Sequence, residues 1–143
     1  GLDPRTIKYV LITHAHGDHD QGAALLQSRY GAKVVMGSVD WDATLQRPET
    51  APGSVPKRDI AVGPEGLKIM LGGTTVEAVS TPGHSPGTLS YLFPVKDGGR
   101  TLMVAYSAAP HSISRGARRT LRSIATAQRG CTPPRVQPAR RFS

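Results

Sequence analysis

The chain has 143 residues, a length typical of one domain, and a formal net charge of +8. The excess charge lies at the C-terminal end: residues 1–107 carry ten Lys/Arg and ten Asp/Glu, whereas residues 108–143 carry eight Arg and no acidic residue. No run approaches the roughly 18 apolar residues of a membrane span, and no charged or apolar leader opens the chain, so we expect neither a membrane helix nor a signal peptide in these residues.

The first half of the chain predicts short strands that alternate with helices. Residues 7–13, "IKYVLIT", form a β-branched apolar run that is typical of a strand buried on both faces. After Asp20, a candidate N-cap, apolar residues recur at helical spacing up to Gly31, which predicts a helix that this glycine ends. Residues 33–37 predict a second strand, and residues 38–45 predict a short helix capped by its first serine.

The following residues predict antiparallel strands. Three prolines and a glycine in residues 46–58 predict a long surface loop. Residues 67–80 alternate on both sides of a Gly-Gly pair and predict a hairpin. A tight loop at residues 81–87 carries a lone histidine, and residues 88–93 and 101–106 predict two more strands. The fold class is therefore α+β, rich in strands, with the helices between early strands.

The segment "HAHGDH" follows the first predicted strand and concentrates three of the five histidines of the chain. Alternation at an extended strand end places His14 and His16 on the same side, so two imidazoles could converge on one ion. A turn at Gly17 would direct Asp18 and His19 toward a second ion, so the spacing suits two adjacent metals better than one. The alternative is a solvated polar loop, which three histidines in six residues beside a buried strand argue against.

His84 lies alone in the turn "TPGHSPG". A lone histidine in such a turn is more often a surface residue than a ligand. The flanking prolines and glycines, however, form a tight bend that could aim the side chain inward. The spacing alone leaves both interpretations open.

The pairing of "THAHGDH" with "TPGHSPGT" roughly seventy residues later resembles the paired motif of the metallo-β-lactamase superfamily. The resemblance covers about residues 5–107. It implies a sandwich of two β-sheets with helices outside, the αββα arrangement. We expect this chain to hold a partial sandwich, truncated at both ends, because the family fold needs strands before Gly1 and a closing half after Ser107.

The resemblance also implies a ligand set and a reaction. A first zinc would be held by His14, His16 and His84, and a second by Asp18 and His19 with a further histidine near the C-terminus of the relatives. Metal-bound hydroxide would attack a carbonyl, and Asp18 would have the catalytic role of orienting that hydroxide. The intact family site holds two Zn²⁺ ions; we expect one here, and weak or absent activity, because the last histidine is not found.

The substrate class follows only from the finer resemblance. Many relatives place a bridging Asp or Cys where this chain has Ser107. That departure is compatible with the lactamase subclass whose second zinc is held by Asp-His-His without cysteine, which the motifs most resemble. Hydrolysis of β-lactam amides is therefore the leading prediction, and thioesters, lactones or other esters are the alternatives. The resemblance implies a small-molecule substrate and a periplasmic or secreted protein; the sequence does not indicate an oligomeric state.

Residues 108–143 lose the resemblance abruptly and show no period of strand or helix. Relatives continue here with a Gly-Gly-Thr-Ala-Phe-Asn-like segment, which the codons of "AAPHSI" can encode when read one base earlier. We therefore interpret the Arg-rich tail as out-of-frame and disordered, with neither Cys131 nor His111 acting as a ligand. Sequencing of the DNA around codon 107 tests this interpretation.

The alternative for the tail is a genuine basic arm on a non-catalytic fragment. Its eight guanidinium groups could bind the phosphates of a nucleic acid or an anionic membrane. It carries no interleaved aromatic residues for base stacking, and a basic arm would not explain why the family resemblance ends. We therefore expect no specific nucleic-acid partner and no membrane partner.

Overall fold

The structure, a computed structural model, describes residues 1–108. The predicted out-of-frame tail, except for its first residue, lies outside the described residues. The helical segments are a short 3-10 helix at Pro4–Thr6 and the helices α1 (Gly17–Asp20), α2 (Ala23–Tyr30) and α3 (Ser38–Gln46). The strands are β1 (Tyr9–Leu11), β2 (Lys33–Gly37), β3 (Ile60–Val62), β4 (Leu67–Leu71), β5 (Thr74–Ser80), β6 (Leu89–Asp97) and β7 (Arg100–Ser107).

The strands form two sheets of different kinds. Strands β1, β2 and β3 are parallel neighbours in that order. Parallel neighbours need a crossover, and the segments that contain α2 and α3 supply one each. Strands β4 to β7 form an antiparallel meander. The predicted α+β class is confirmed.

Successive side chains of β2 in the parallel sheet point to opposite faces and pack into two separate hydrophobic cores. In β2, Val35 faces the antiparallel sheet and packs with residues such as Tyr91 of β6. Its neighbours Val34 and Met36 face the other way and pack against Trp41 of α3. The order of layers is therefore helices, parallel sheet, antiparallel sheet. This arrangement confirms the partial αββα sandwich.

Several predictions at the ends of elements are wrong. Strand β1 has three residues, all of them partly exposed rather than fully buried, although Leu11 and Val10 pack against opposite cores. Among residues 1–108 it pairs with β2 alone and is an edge strand, which leaves its outer side open. Asp20 is not an N-cap: it ends α1, a helix that was not predicted, and Gly22 precedes α2. Ser38 is not a cap but the first helical residue of α3: the N-cap position is Gly37, which has no side chain that could cap the helix. The short strand β3 was also not predicted.

The glycine turns confirm the predicted boundaries of other elements. Gly31 follows α2 in the left-handed conformation, with φ at 69°. Gly72 and Gly73 both have positive φ, as a tight two-residue hairpin turn between β4 and β5 requires. No helix within residues 1–108 has the length and apolar character that a membrane crossing needs.

Candidate metal centre

Two loops carry the histidines. Histidine loop 1, residues 12–16, joins β1 to α1, and histidine loop 2, residues 81–88, joins β5 to β6. At their base, the Leu89 N–H donates to the Thr13 carbonyl at 2.8 Å. The Tyr91 hydroxyl donates to the Ile12 carbonyl at 2.7 Å, and its burial raises the pKa of Tyr91. These two bonds join the antiparallel sheet to the end of the parallel sheet just below the histidines.

Three imidazoles converge above this base. One ring nitrogen from each of His14, His16 and His84 lies within 4.8 Å of the other two. The Nδ1 atom of His16 is 3.1 Å from the Nε2 atom of His84. The ring centroids of His14 and His84 are 4.5 Å apart. The structure therefore brings together the three residues predicted for the first zinc, and it turns His84 toward the other two.

His14 is the buried member of this group. Its Nδ1 atom shares a hydrogen bond of 3.1 Å with the Thr13 hydroxyl. Its Nε2 atom is buried and has no hydrogen-bond partner among the described residues. Burial, followed by the neighbouring His19, His84 and His16, lowers the pKa of His14. At neutral pH the ring is therefore neutral, the form that binds a metal.

Asp18 and His19 lie beside this group but are not part of it. Both belong to α1, and the centroid of the His19 ring is 4.1 Å from that of His14. The Asp18 carboxylate is 3.5 Å from His19 Nε2, and the Asp18 side chain is 80% exposed. The structure thus places the two residues predicted for the second zinc next to each other and to the first group. Their binding of a metal remains a prediction.

The comparisons with known proteins agree with this geometry. The family model of the metallo-β-lactamase superfamily matches residues 1–98. The chain belongs to the metallo-β-lactamase superfamily. The family resemblance of the two histidine motifs is therefore confirmed.

Proteins similar to this chain include both hydroxyacylglutathione hydrolases and β-lactamases by their names. A hydroxyacylglutathione hydrolase of Acidiphilium cryptum is 37% identical over 87 residues, which are 61% of this chain and 31% of that protein. The structure of a subclass B3 metallo-β-lactamase of Bradyrhizobium japonicum matches with a TM-score of 0.64 at 30% identity. The matched region covers 90% of this chain and 54% of the lactamase chain. A β-lactamase from Chitinophaga pinensis has a TM-score of 0.65 at 31% identity, with coverages of 81% and 46%. The chain thus spans about a third of the first protein and about half of the two structures.

The donor set of the three histidines fits a zinc ion. Neutral imidazole is a preferred ligand of Zn²⁺, and three imidazoles are a known ligand set of catalytic zinc. A buried ring nitrogen without a partner costs free energy, and an ion between the three rings would remove that cost at His14 Nε2. The bond from Thr13 to the other nitrogen holds the ring so that Nε2 is left as the ligand atom.

The sequence did not indicate a role near the centre for two buried carboxylates. Asp20, at the end of α1, accepts a hydrogen bond of 2.7 Å from Arg47 Nη2. Asp40, in the first turn of α3, accepts hydrogen bonds from both histidine loops. Asp20 directly follows the segment "HAHGDH" but was interpreted as a helix cap, and Asp40 lies in no motif. The partners of both are distant in sequence. The sequence feature that could have drawn attention to Asp40 is the pair of acidic residues at positions 40 and 42 of a short predicted helix.

Ser107 ends β7 opposite Ser90 of β6. Its hydroxyl is buried and has no hydrogen-bond partner among residues 1–108. The family resemblance implies a bridging Asp or Cys at this position in many relatives, where this chain has a small polar side chain. Its effect on a second metal remains a prediction.

Proposed function

We propose that the chain carries the first metal site of a zinc-dependent hydrolase. The supporting observation is the convergence of His14, His16 and His84, with a buried His14 Nε2 that no described residue satisfies. Bound zinc supplies a Lewis acid for a carbonyl and lowers the pKa of water toward 7. The three imidazoles hold the ion, and one zinc per chain is the expected stoichiometry.

Asp18 is the residue of this chain that we assign to proton transfer. Its exposed carboxylate lies two residues beyond His16, in the first turn of α1, where a substrate at the metal can approach it. A carboxylate so placed can accept a proton from the attacking water and return it to the leaving group. In this proposal Asp18 can act without the complete second metal site of the family.

The substrate class that we propose is β-lactam amides. The supporting observation is the likeness to subclass B3 and related β-lactamase structures at 30% and 31% identity. A second candidate is thioester hydrolysis, because the curated relative with 37% identity is a hydroxyacylglutathione hydrolase. Lactones and other esters are further members of the same class of carbonyl substrates.

A panel assay on the full chain separates these candidates. The chain is loaded with one equivalent of zinc and offered a chromogenic cephalosporin, a glutathione thioester and a lactone. We expect slow turnover of the cephalosporin that a chelator abolishes and zinc restores. Turnover of the thioester instead would transfer the assignment to the second candidate. A chain that binds no zinc would refute the proposal as a whole.

The role of Asp18 has its own control. The Asp18→Asn variant should keep its first zinc and lose at least tenfold in turnover, since general acid–base residues contribute roughly 10²–10⁴-fold. Asp97→Asn changes an exposed carboxylate at the end of β6 and should leave both properties unchanged. Equal loss in both variants would show that the effect is not specific to Asp18.

Export and antibiotic resistance depend on the β-lactam assignment. We propose a periplasmic or secreted protein on the likeness to β-lactamases alone. Fractionation of cells that express the natural gene tests its location, and the inhibitory concentration of a β-lactam for those cells tests resistance. An unchanged inhibitory concentration with a zinc-loaded, exported protein would count against the β-lactam substrate.

A further inference from the structure

We propose that Asp40 is a positioning residue that holds the two histidine loops in register around the metal; this inference rests on the proposed metal site. Asp40 lies in the first turn of α3 but is only 1% exposed. Within residues 1–108 no lysine or arginine forms an ion pair with it, unlike Asp20 and Asp59. Its carboxylate is satisfied instead by hydrogen bonds from the loops that carry the histidines.

The contacts of Asp40 flank every candidate ligand of the first site. Its Oδ2 atom accepts from the Ala15 N–H at 2.8 Å, and Ala15 lies between His14 and His16. The same oxygen accepts from the Ser85 hydroxyl at 2.6 Å, and Ser85 directly follows His84. The Oδ1 atom accepts from the Gly87 N–H at 2.8 Å. One carboxylate therefore fixes backbone on both sides of the metal site.

Among residues 1–108, two other contacts join these regions, and neither replaces this connection at the level of the ligands. The contact between His16 and His84 uses the ring nitrogens that would bind the metal. The bond from the Leu89 N–H to the Thr13 carbonyl joins histidine loop 1 to the start of β6, below histidine loop 2. Asp40 is thus the link that can keep the loops in place both before and after a metal binds.

The packing around Gly87 supports the same role. A Cβ atom built on Gly87 would lie 2.6 Å from the backbone nitrogen and from Oδ1 of Asp40. A Cβ atom built on Gly37 would collide with the Gly87 carbonyl oxygen. Histidine loop 2 therefore rests directly on the end of β2 and the first turn of α3. This close approach is what lets the Gly87 N–H reach the carboxylate.

An amide in place of the carboxylate should loosen the loops. Asparagine offers one acceptor oxygen and a donor NH₂, so it cannot accept at both ends of the side chain. Asp40→Asn can keep the Gly87 bond but presents a donor to the Ala15 N–H. The loops would then have to reorder around the ion, and part of the binding free energy would be lost. Residues that orient metal ligands typically contribute about 10–100-fold in metal affinity.

The test is a cobalt titration of the full chain in competition with a chelating dye, under conditions where circular dichroism shows each variant to be folded. We expect Asp40→Asn to weaken Co²⁺ binding about 10–100-fold. The matched control is Asp59→Asn, which also removes a carboxylate that accepts three hydrogen bonds, from Gln27, Lys33 and Val34. The free energy of unfolding of this control, measured with chelator so that no metal is bound, should fall. Its cobalt affinity should equal that of the wild type.

The outcomes separate this role from a purely structural one. A cobalt affinity of Asp40→Asn within twofold of wild type would overturn the proposal. If that variant does not fold, Ser85→Ala decides: it removes one donor to Asp40 Oδ2 and should weaken cobalt binding several-fold. Unchanged affinity in the folded Ser85→Ala variant would overturn the proposal in that case. Failure of the wild-type chain to bind cobalt would instead overturn the metal site and this role together.

Discussion

The backbone N–H of Gly87 donates to Oδ1 of Asp40 across 2.8 Å, and the two residues are too close for a side chain at position 87. A methyl group there would meet the backbone nitrogen of α3, which cannot rotate out of the way. Gly87→Ala should therefore displace histidine loop 2 or strain the helix. The contact joins residues 47 positions apart and connects the stability of α3 to the position of His84.

We expect Gly87→Ala to lower the free energy of unfolding by about 1–3 kcal/mol, the usual cost of overpacking a filled site. Urea unfolding followed by circular dichroism measures the change. Gly22→Ala is the control, because a Cβ atom there meets no atom within 4 Å and φ is −85°. The control should stay within about 0.5 kcal/mol of wild type. Equal losses in the two variants would contradict the close contact.

Arg47 and Asp20 form the second connection near the histidines. The Asp20 side chain is fully buried, whereas Arg47 is 31% exposed. Arg47→Met leaves a buried carboxylate without its ion-pair partner. Such a change typically lowers the free energy of unfolding by about 3–5 kcal/mol, and we expect about 3 kcal/mol here because Arg47 is partly exposed. Because Asp20 ends α1, the variant should also loosen the helix that carries Asp18 and His19.

Arg58→Met is the matched control for this pair. Arg58 pairs with Asp42, and both side chains are largely exposed, so the loss should be at most about 1 kcal/mol. Thermal unfolding of the two variants side by side measures the difference. Similar unfolding temperatures for both would show that water reaches Asp20 when Arg47 is removed.

The residues that the sequence did and did not predict differ in where their partners lie. His14, His16, Asp18 and His19 were predicted as metal ligands because one short motif concentrates them; metal binding by Asp18 and His19 stays a prediction. The hairpin turn was predicted because a Gly-Gly pair between two alternating segments is typical of one. Asp40 was not found, because its donors lie 25 to 47 residues away and two of the three are backbone groups. Backbone partners leave no trace in the sequence.

The same reason applies to the errors in the fold. A strand buried on both faces and an edge strand both read as an apolar run, so β1 was assigned too much burial. Strand β3 has three residues after a proline-rich loop, and its place is fixed by pairing with β2 rather than by its own pattern. Tertiary pairing decided both cases.

The acid stability of the chain should depend on Asp59. Burial alone would raise the pKa of this carboxyl, but the hydrogen bonds from Gln27, the Val34 N–H and Lys33 outweigh burial and lower it. The folded state then binds fewer protons than the unfolded state near pH 4. The stability from Asp59 is therefore complete above its unfolded pKa and is lost as the pH falls through the lower folded pKa.

Asp59→Asn should lose about 1–3 kcal/mol at pH 7, because it removes hydrogen bonds to a charged group. The loss should shrink below pH 4, where the wild-type carboxyl becomes protonated as well. Urea unfolding of both proteins between pH 3 and pH 7 measures this convergence. A difference that is constant over the whole range would show that the charge of Asp59 does not contribute.

Zinc should stabilise the folded chain through the three converging histidines. An ion that binds only the folded state adds about 4 kcal/mol when its free concentration is 1,000 times its dissociation constant. The unfolding temperature should therefore rise with zinc and fall back with a chelator.

His14→Ala should abolish this rise, since it removes the buried ligand. His19→Ala should keep it, because His19 lies outside the group of three. Loss of the zinc effect in His19→Ala but not in His14→Ala would place the ion on α1 instead.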